Sequence, residues 1–335
     1  MTSREFDLGK ERLLRVGVIG AGVMGFNHGR VLAGLPGIEL VGIVDPLLDH
    51  RDHAANVIGC PTFARLDELC AAGVEAVTIA APTHLHHEIA LDCIARGIHV
   101  LVEKPVASTV QQGREIVAAA HRANVTLMVG HVERFNPAVV AIKKAIAGED
   151  ILSIGITRVG PFPPRMSNVG VVIDLAVHDI DLIRWFTESD IVQVQPQLSS
   201  AVAEREDIAL LQFRTASGVL AHINTNWLTP FKARNVTIAT RGKYVQGDLL
   251  TRQVTECFGF QPDGSYSMRH LPVGHDEPLR AELIAFTDAV RNRKVPAVTG
   301  EEGVASLEIA IKCLEPLSAQ DQSGDGRAAS LRVAS

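Results

Sequence analysis

The sequence predicts an α/β chain in two parts: an N-terminal Rossmann fold with a doubly wound parallel sheet, then an α+β part with a largely antiparallel open sheet. Three observations carry this. From residue 14 to residue 132 short apolar runs alternate with longer helical patterns, the signature of repeated βαβ units. After residue 136 the candidate strands mix apolar and polar positions and mostly lack helices between them, as an antiparallel sheet with one covered face does. The 335 residues, at roughly 150 per domain, leave room for two domains.

In the first part, strands are expected at residues 14–20, 38–45, 75–81, 99–102 and 126–131. Each is bounded by Gly, Pro or a polar turn, and the first three are apolar at most consecutive positions, as strands covered on both faces are. Helices are expected at 23–35, 47–57, 84–96 and 110–122. In the second part, strands are expected at 151–159, 191–198, 208–214, 218–226 and 235–239, with helices at 175–187 and from 279 and 302 onward. These patterns place a first domain over 12–134 and a second over 135–317. The small, polar stretch 318–335 reads as a flexible tail.

Composition narrows the function. The chain is 47% hydrophobic and 21% charged, which suits a folded globular protein. Its 32 basic against 38 acidic residues give a net charge of −6, the wrong sign for a broad phosphate-backbone binder. Nucleic acid is therefore not expected as a partner. Cys60, Cys70, Cys93, Cys257 and Cys313 form no CxxC pair, so free thiols are expected rather than a zinc ribbon or redox dithiol. The first fifteen residues mix both charge signs without an apolar core, unlike a signal peptide. No apolar run approaches the roughly 20 residues that span a bilayer. A cytoplasmic protein is the expectation.

The first strand runs into Gly20-Ala21-Gly22-Val23-Met24-Gly25, a GxGxxG between a strand and a helix. Gly20 would permit the tight turn, Gly22 would let backbone N–H groups reach a pyrophosphate, and Gly25 would let the helix pack on its strand. Free donors at the helix N-terminus, around Val23 and Met24, suit the phosphates. Asp45, 20 residues past Gly25, stands where an acidic side chain accepts from the adenosine ribose. A carboxylate there would repel a 2′-phosphate, so NAD is expected over NADP.

Lys104, in Glu103-Lys104-Pro105, follows the fourth expected strand, at the edge of the crevice where such sheets bind ligands. A solvated surface charge is the plain alternative. At 100° per residue, Asp174, His178 and Asp181 fall within a sector of roughly 60° on an otherwise apolar helix. Catalysis and a satisfied structural pair both fit Asp174 and His178. A metal would need His178 and Asp181 with another ligand, or the cluster His84, His86 and His87, which lacks the regular spacing of a zinc site and adjoins a strand end at the cofactor cleft. No metal is expected.

Together, GAGVMG with Asp45, Ala81-Pro82-Thr83-His84-Leu85-His86, Glu103-Lys104-Pro105, and Asp174 with His178 resemble the glucose–fructose oxidoreductase, inositol dehydrogenase and rhizopine catabolism (Gfo/Idh/MocA) family. The resemblance covers nearly the whole chain. It implies a catalytic group of Lys104, Asp174 and His178, with cofactor contacts from Ala81, Pro82, Thr83, His86, Glu103 and Lys104. Thr83 departs from the Asn that many relatives carry, leaving that contact open. The stretch Gly130 to Pro137, the run RVGPFPPR over 158–165 and the Asp174 helix are similar to the branch of UDP-N-acetylglucosamine 3-dehydrogenases.

That branch implies oxidation of a sugar hydroxyl, with Arg134, Asn136, Arg165, Asp174 and His178 at the substrate. Guanidinium groups suit a diphosphate, although an ordinary salt bridge is the alternative for each arginine. Inositol or another free polyol is the competing substrate, and a non-catalytic NAD-binding regulator the competing class. A homodimer or homotetramer is expected, because apolar residues fall on both faces of the strands at 208–214 and 218–226.

Overall fold

A computed structural model describes residues 12–163 and 169–315. Arg165 and the stretch 318–335 lie outside the described residues. The first part runs β1 (Leu14–Ile19), α1 (Val23–Ala33), β2 (Ile38–Val44), α2 (Leu48–Ile58), β3 (Thr62–Phe63), α3 (Leu66–Ala71), β4 (Ala76–Ile79), α4 (Thr83–Ala95), β5 (His99–Glu103), α5 (Val110–Ala123) and β6 (Leu127–Gly130). The strands form one parallel sheet in the order β3-β2-β1-β4-β5-β6. Strand order reverses between β1 and β4, which opens a crevice at their carboxyl ends. Every residue of β4 and β6 is buried, as helices on both faces require. The pair β3 and α3 has no counterpart among the expected elements, because a strand of two residues carries no apolar run.

A short 3₁₀ turn (Val132–Phe135) and α6 (Pro137–Ala145) lead into the second part. It contains β7 (Ile151–Pro161), a π-helical turn (Val172–Ala176), α7 (Val177–Thr187), β8 (Ile191–Ser199), β9 (Ile208–Thr215), β10 (Leu220–Asn226), β11 (Leu228–Thr240), β12 (Lys243–Asp248), β13 (Gln253–Phe258) and β14 (Ser267–His270). These eight strands make one sheet, β14-β13-β12-β11-β7-β10-β9-β8. It is antiparallel throughout except for the parallel pair β7 and β10. In β9, Ala209, Leu211 and Phe213 face the core while Leu210 is 50% exposed, the period-2 alternation of a one-sided sheet.

The sheet extends beyond the expected strands. β11 begins before residue 235 because its register against β7 shifts between Leu228 and Ala233, and β14 has no buried residue to mark it. The expected helix at 175–187 is α7 with the π turn wound onto its start.

Two helices close the chain, α8 (Pro278–Asn292) and α9 (Gly300–Leu314). Although α8 follows the second sheet in sequence, its Leu279, Leu283, Phe286 and Val290 pack into the core of the first. Helix α9 joins both cores, Val304 and Leu307 lying in the first and Ile309, Ala310 and Cys313 in the second. All five cysteines are free, and burial pushes the Cys93 and Cys313 thiols up to about 12. Among the described residues no helix is long and apolar enough to cross a membrane.

Candidate active site

The crevice begins at the glycine turn. Gly20 has φ +96° and sits where a Cβ would lie 2.7 Å from the Ala80 carbonyl oxygen. A Cβ on Gly25 would lie 1.7 Å from the Gly20 carbonyl oxygen, whereas one on Gly22 would meet nothing within 4 Å. The turn and the helix packing thus require Gly20 and Gly25, while Gly22 opens a cradle into space. Gly22 begins α1 without a side-chain cap, leaving backbone donors for an anion. Val23 and Met24 are 66% and 38% exposed at this edge, apolar surface that a bound dinucleotide would cover.

Asp45 is buried at the end of β2. Its Oδ2 accepts from the Ala21 N–H at 2.7 Å and its Oδ1 from the Leu47 N–H at 2.9 Å. The carboxylate therefore fixes the glycine turn and retains lone pairs for a ribose hydroxyl. Arg51 turns away, its Nη1 donating to the Asp45 and Pro46 carbonyls.

Ala81 and Pro82 lie in the loop between β4 and α4, with Pro82 at the N-cap and Thr83 the first residue of the helix. His86 is buried behind it, one ring nitrogen 3.0 Å from the Pro105 carbonyl and the other 2.8 Å from the Ala81 carbonyl. Burial lowers its pKa below the ordinary imidazole value. His86 therefore sits beneath two crevice loops with both ring nitrogens turned to their carbonyls instead of meeting a cofactor. His84 is exposed and His87 pairs with Glu115, so the three histidines of α4 do not converge on one site.

Successive side chains alternate faces at a strand end, and Glu103 and Lys104 diverge. Glu103, expected at the cofactor, faces the interior: its Oε1 lies 2.9 Å from His28 Nε2. Burial alone would raise its pKa, but His28 and the Lys104 charge hold it below the ordinary value. Lys104 crosses to the second part, its Nζ donating to the Asp174 backbone oxygen at 2.7 Å and to Asp174 Oδ1 at 3.2 Å. The π turn supplies that carbonyl.

His178 is partly exposed, and its Nδ1 is buried with no hydrogen-bond partner among the described residues. Among the described residues no hydrogen bond joins it to Asp174. Its ring stands edge-on to His131, centroids 6.2 Å apart. Burial first, then Lys104, Arg158, His131 and Arg234, push its pKa well below the ordinary value, so the imidazole is neutral at neutral pH.

Two substrate expectations are corrected. Arg134 is buried and all its guanidinium nitrogens are engaged, Nε and Nη2 with Asp181 at 2.7 Å each and Nη1 with Glu302 at 2.8 Å. It has no edge left for a diphosphate. Asn136 is likewise buried as the N-cap of α6, accepting from Ala138 N–H and donating to Glu133 and the Leu249 carbonyl. Asp181 does not share the Asp174 side of the site, because a π turn winds more residues per turn than the 100° count assumes.

Residues 14–131 match the family described as "Oxidoreductase family, NAD-binding Rossmann fold", and residues 159–245 match the GFO/IDH/MocA C-terminal domain. The chain is 32% identical over 311 residues to inositol 2-dehydrogenase 4 of Saccharopolyspora erythraea, covering 88% of this chain and 90% of that one. The chain belongs to the Gfo/Idh/MocA family. It is an NAD-binding oxidoreductase. Another Gfo/Idh/MocA relative, UDP-N-acetylglucosamine 3-dehydrogenase of Acidithiobacillus ferrooxidans, is 29% identical over 307 residues, covering 89% and 96% of the two chains. A solved structure of that enzyme superposes with a TM-score of 0.84 at 26% identity, covering 90% of this chain and 96% of the other.

This Gfo/Idh/MocA site also contains residues to which the sequence assigned no role. Arg158 is buried against Asp179 and Glu133, and Arg234 reaches Glu133 from β11. Their partners are up to 101 positions distant in sequence, so no local pattern marks them. Behind Lys104, ligand atoms of His28, Glu103 and Glu282 lie within 4.8 Å of one another, all three residues buried. Among the described residues neither Glu282 oxygen has a partner. Burial, then Glu103, raise its pKa well above the ordinary value, which favours the protonated carboxyl.

Gly22→Ala should fold like the parent but bind NAD at least about 10-fold more weakly, whereas Gly25→Ala should lose thermal stability as well, since its Cβ collides with backbone. Calorimetric NAD titration and melting curves separate the two. For Glu282, a carboxyl raised in the fold favours folding below the unfolded pKa and loses that contribution as pH rises. Glu282→Gln, which stays neutral, should therefore gain Tm relative to the parent at pH 8 and not at pH 4.5. An equal difference at both values would contradict the assignment.

Proposed function

We propose that this chain oxidises a secondary hydroxyl of a UDP-sugar, C3 of UDP-N-acetylglucosamine or a near relative, as a step in nucleotide-sugar biosynthesis. The observation that carries the reaction is the Lys104 ammonium bridging to Asp174 beside the neutral imidazole of His178. The likeness to the Acidithiobacillus enzyme across nearly all of its length supports the substrate class. Oxidation of inositol is the second reading, favoured by the Saccharopolyspora relative.

NAD, when bound, supplies the hydride acceptor. On the turn that Gly20 and Gly25 permit, the open backbone at Gly22 would hold its pyrophosphate, and Asp45 would orient its ribose. Val23, Met24, Ala81, Pro82 and Thr83 would border it. His178 takes the hydroxyl proton; Nδ1 is enclosed, which leaves Nε2 to face the substrate. Lys104, with two donors on Asp174, turns its third proton toward the substrate oxygen and stabilises negative charge as the proton leaves. Asp174 positions Lys104 and neutralises it. The cations that keep His178 unprotonated also favour the deprotonated substrate oxygen, so the proton moves between two groups shaped by the same charges.

The outer face of the second sheet, where Val192, Leu210 and Leu220 are exposed, is the surface we assign to a homo-oligomer. The enzyme itself works inside the cell in this reading, where NAD and UDP-sugars are available.

Purified protein incubated with NAD and a panel of UDP-sugars and free polyols should form NADH with UDP-N-acetylglucosamine. Turnover of inositol alone would transfer the function to the second reading. Lys104→Ala and His178→Ala should each lower the rate about 10²- to 10⁴-fold while still binding NAD. Because the His178 imidazole titrates below its ordinary value, the acid limb of kcat/KM should fall below pH 6.5; a limb at or above that value counts against His178 as the base. Light scattering should give a mass above the 36.0 kDa protomer, reduced by Leu210→Lys, whereas Leu211→Lys should unfold the chain because Leu211 is buried.

A further inference from the structure

We infer that Arg234, on the face of β11 turned toward the His178 helix, is the guanidinium that grips a phosphate of the substrate. The inference rests on the nucleotide-sugar reading above and names the phosphate partner that reading lacks, since Arg134 has no free edge.

Three buried or half-buried arginines lie close to the candidate site, and their engagement differs. Arg134 and Arg158 use Nε, Nη1 and Nη2, all on carboxylates, and their side chains are 4% and 3% exposed. They are structural cations. Arg234 uses Nη1 alone, donating to Glu133 Oε1 at 2.9 Å, and its side chain is 36% exposed. Its Nε and Nη2 hydrogens, the adjacent pair that forms a fork for two oxygens of one oxyanion, donate to no described residue.

The counter-charge of Arg234 is also shared. Glu133 Oε1 already accepts from Arg158 Nη1 at 2.8 Å, so one carboxylate faces two guanidinium groups. Arg234 is thus a partly desolvated cation with half a partner, a state that an incoming anion relieves.

Its backbone is fixed, its carbonyl accepting from the Leu249 N–H at 2.8 Å while the strand pairs Arg234 with Arg158. The register sets it opposite Arg158, whose guanidinium binds Asp179, the residue next to His178, so Arg234 and His178 border the same face of the sheet. A free polyol has no group that needs such a fork.

The test compares Arg234→Gln and Arg234→Lys with the parent in steady-state oxidation of UDP-N-acetylglucosamine and of N-acetylglucosamine, and in calorimetric binding of UDP. Removing a charged hydrogen bond from the complex should raise KM for the UDP-sugar and Kd for UDP by roughly 10- to 100-fold. The preference for the UDP-sugar over the phosphate-free sugar should shrink with it. Arg234→Lys, which keeps the charge beside Glu133 but not the fork, should recover only part of the affinity and guards against misfolding of the Gln variant. A parent that oxidises the UDP-sugar, with KM and UDP affinity unchanged in both variants, overturns the role of Arg234 and leaves the proposed reaction standing. A parent that neither oxidises UDP-sugars nor binds UDP removes the reading on which the inference rests.

Discussion

Two buried carboxylates on α7 hold the candidate site together. Asp179 and Asp181 stand on either side of the segment that carries His178, and neither can remain in the interior without a cation. Arg158, from β7, meets Asp179; Arg134, from the turn after β6, meets Asp181. Each pair fastens α7 to a different sheet. Against the burial that would raise it, His131 and Arg134 hold the Asp181 carboxyl below its ordinary range. Breaking such a pair from one side costs roughly 3–5 kcal/mol because the remaining charge is stranded. The position of His178 is therefore a by-product of charge pairing on both flanks.

The same pairing organises the electrostatics. Charges with no access to solvent are matched with one another, and those near the opening are left only partly matched. Lys104 pairs with Asp174 of the π turn, and His178 is kept neutral by burial and by the surrounding cations. Deep pairs set geometry and shallow groups remain available to a ligand. This division accounts for two arginines of one neighbourhood, Arg134 and Arg234, having opposite degrees of engagement.

The first sheet is legible in the sequence because its strands are buried on both faces and its glycine turn carries an explicit steric requirement, visible in the close approach of Gly25 to Gly20. Lys104 and Asp174 stand out in the sequence, and the structure brings them into direct contact. Arg134 is not assignable from sequence: a guanidinium looks the same there whether it meets a ligand or Glu302, 168 positions away. Asp181 is misplaced when 174–181 is counted at a uniform 100° per residue, because the π turn covers the start of that stretch. Glu282 sits on an amphipathic helix whose pattern gives no sign that one acid faces inward. Arg234 falls just before the strand expected at 235–239, so the sequence pattern assigns it to no sheet face.

His86 carries a consequence of hydrogen count. A neutral imidazole owns a single N–H, yet this ring faces two carbonyls, one on the loop after β4 and one just beyond Lys104. Whichever carbonyl receives the hydrogen is tethered; the other confronts a lone pair and is repelled. The two walls of the crevice thus draw on one indivisible proton, and a tautomer exchange that moves no heavy atom transfers the tether from the cofactor side to the lysine side.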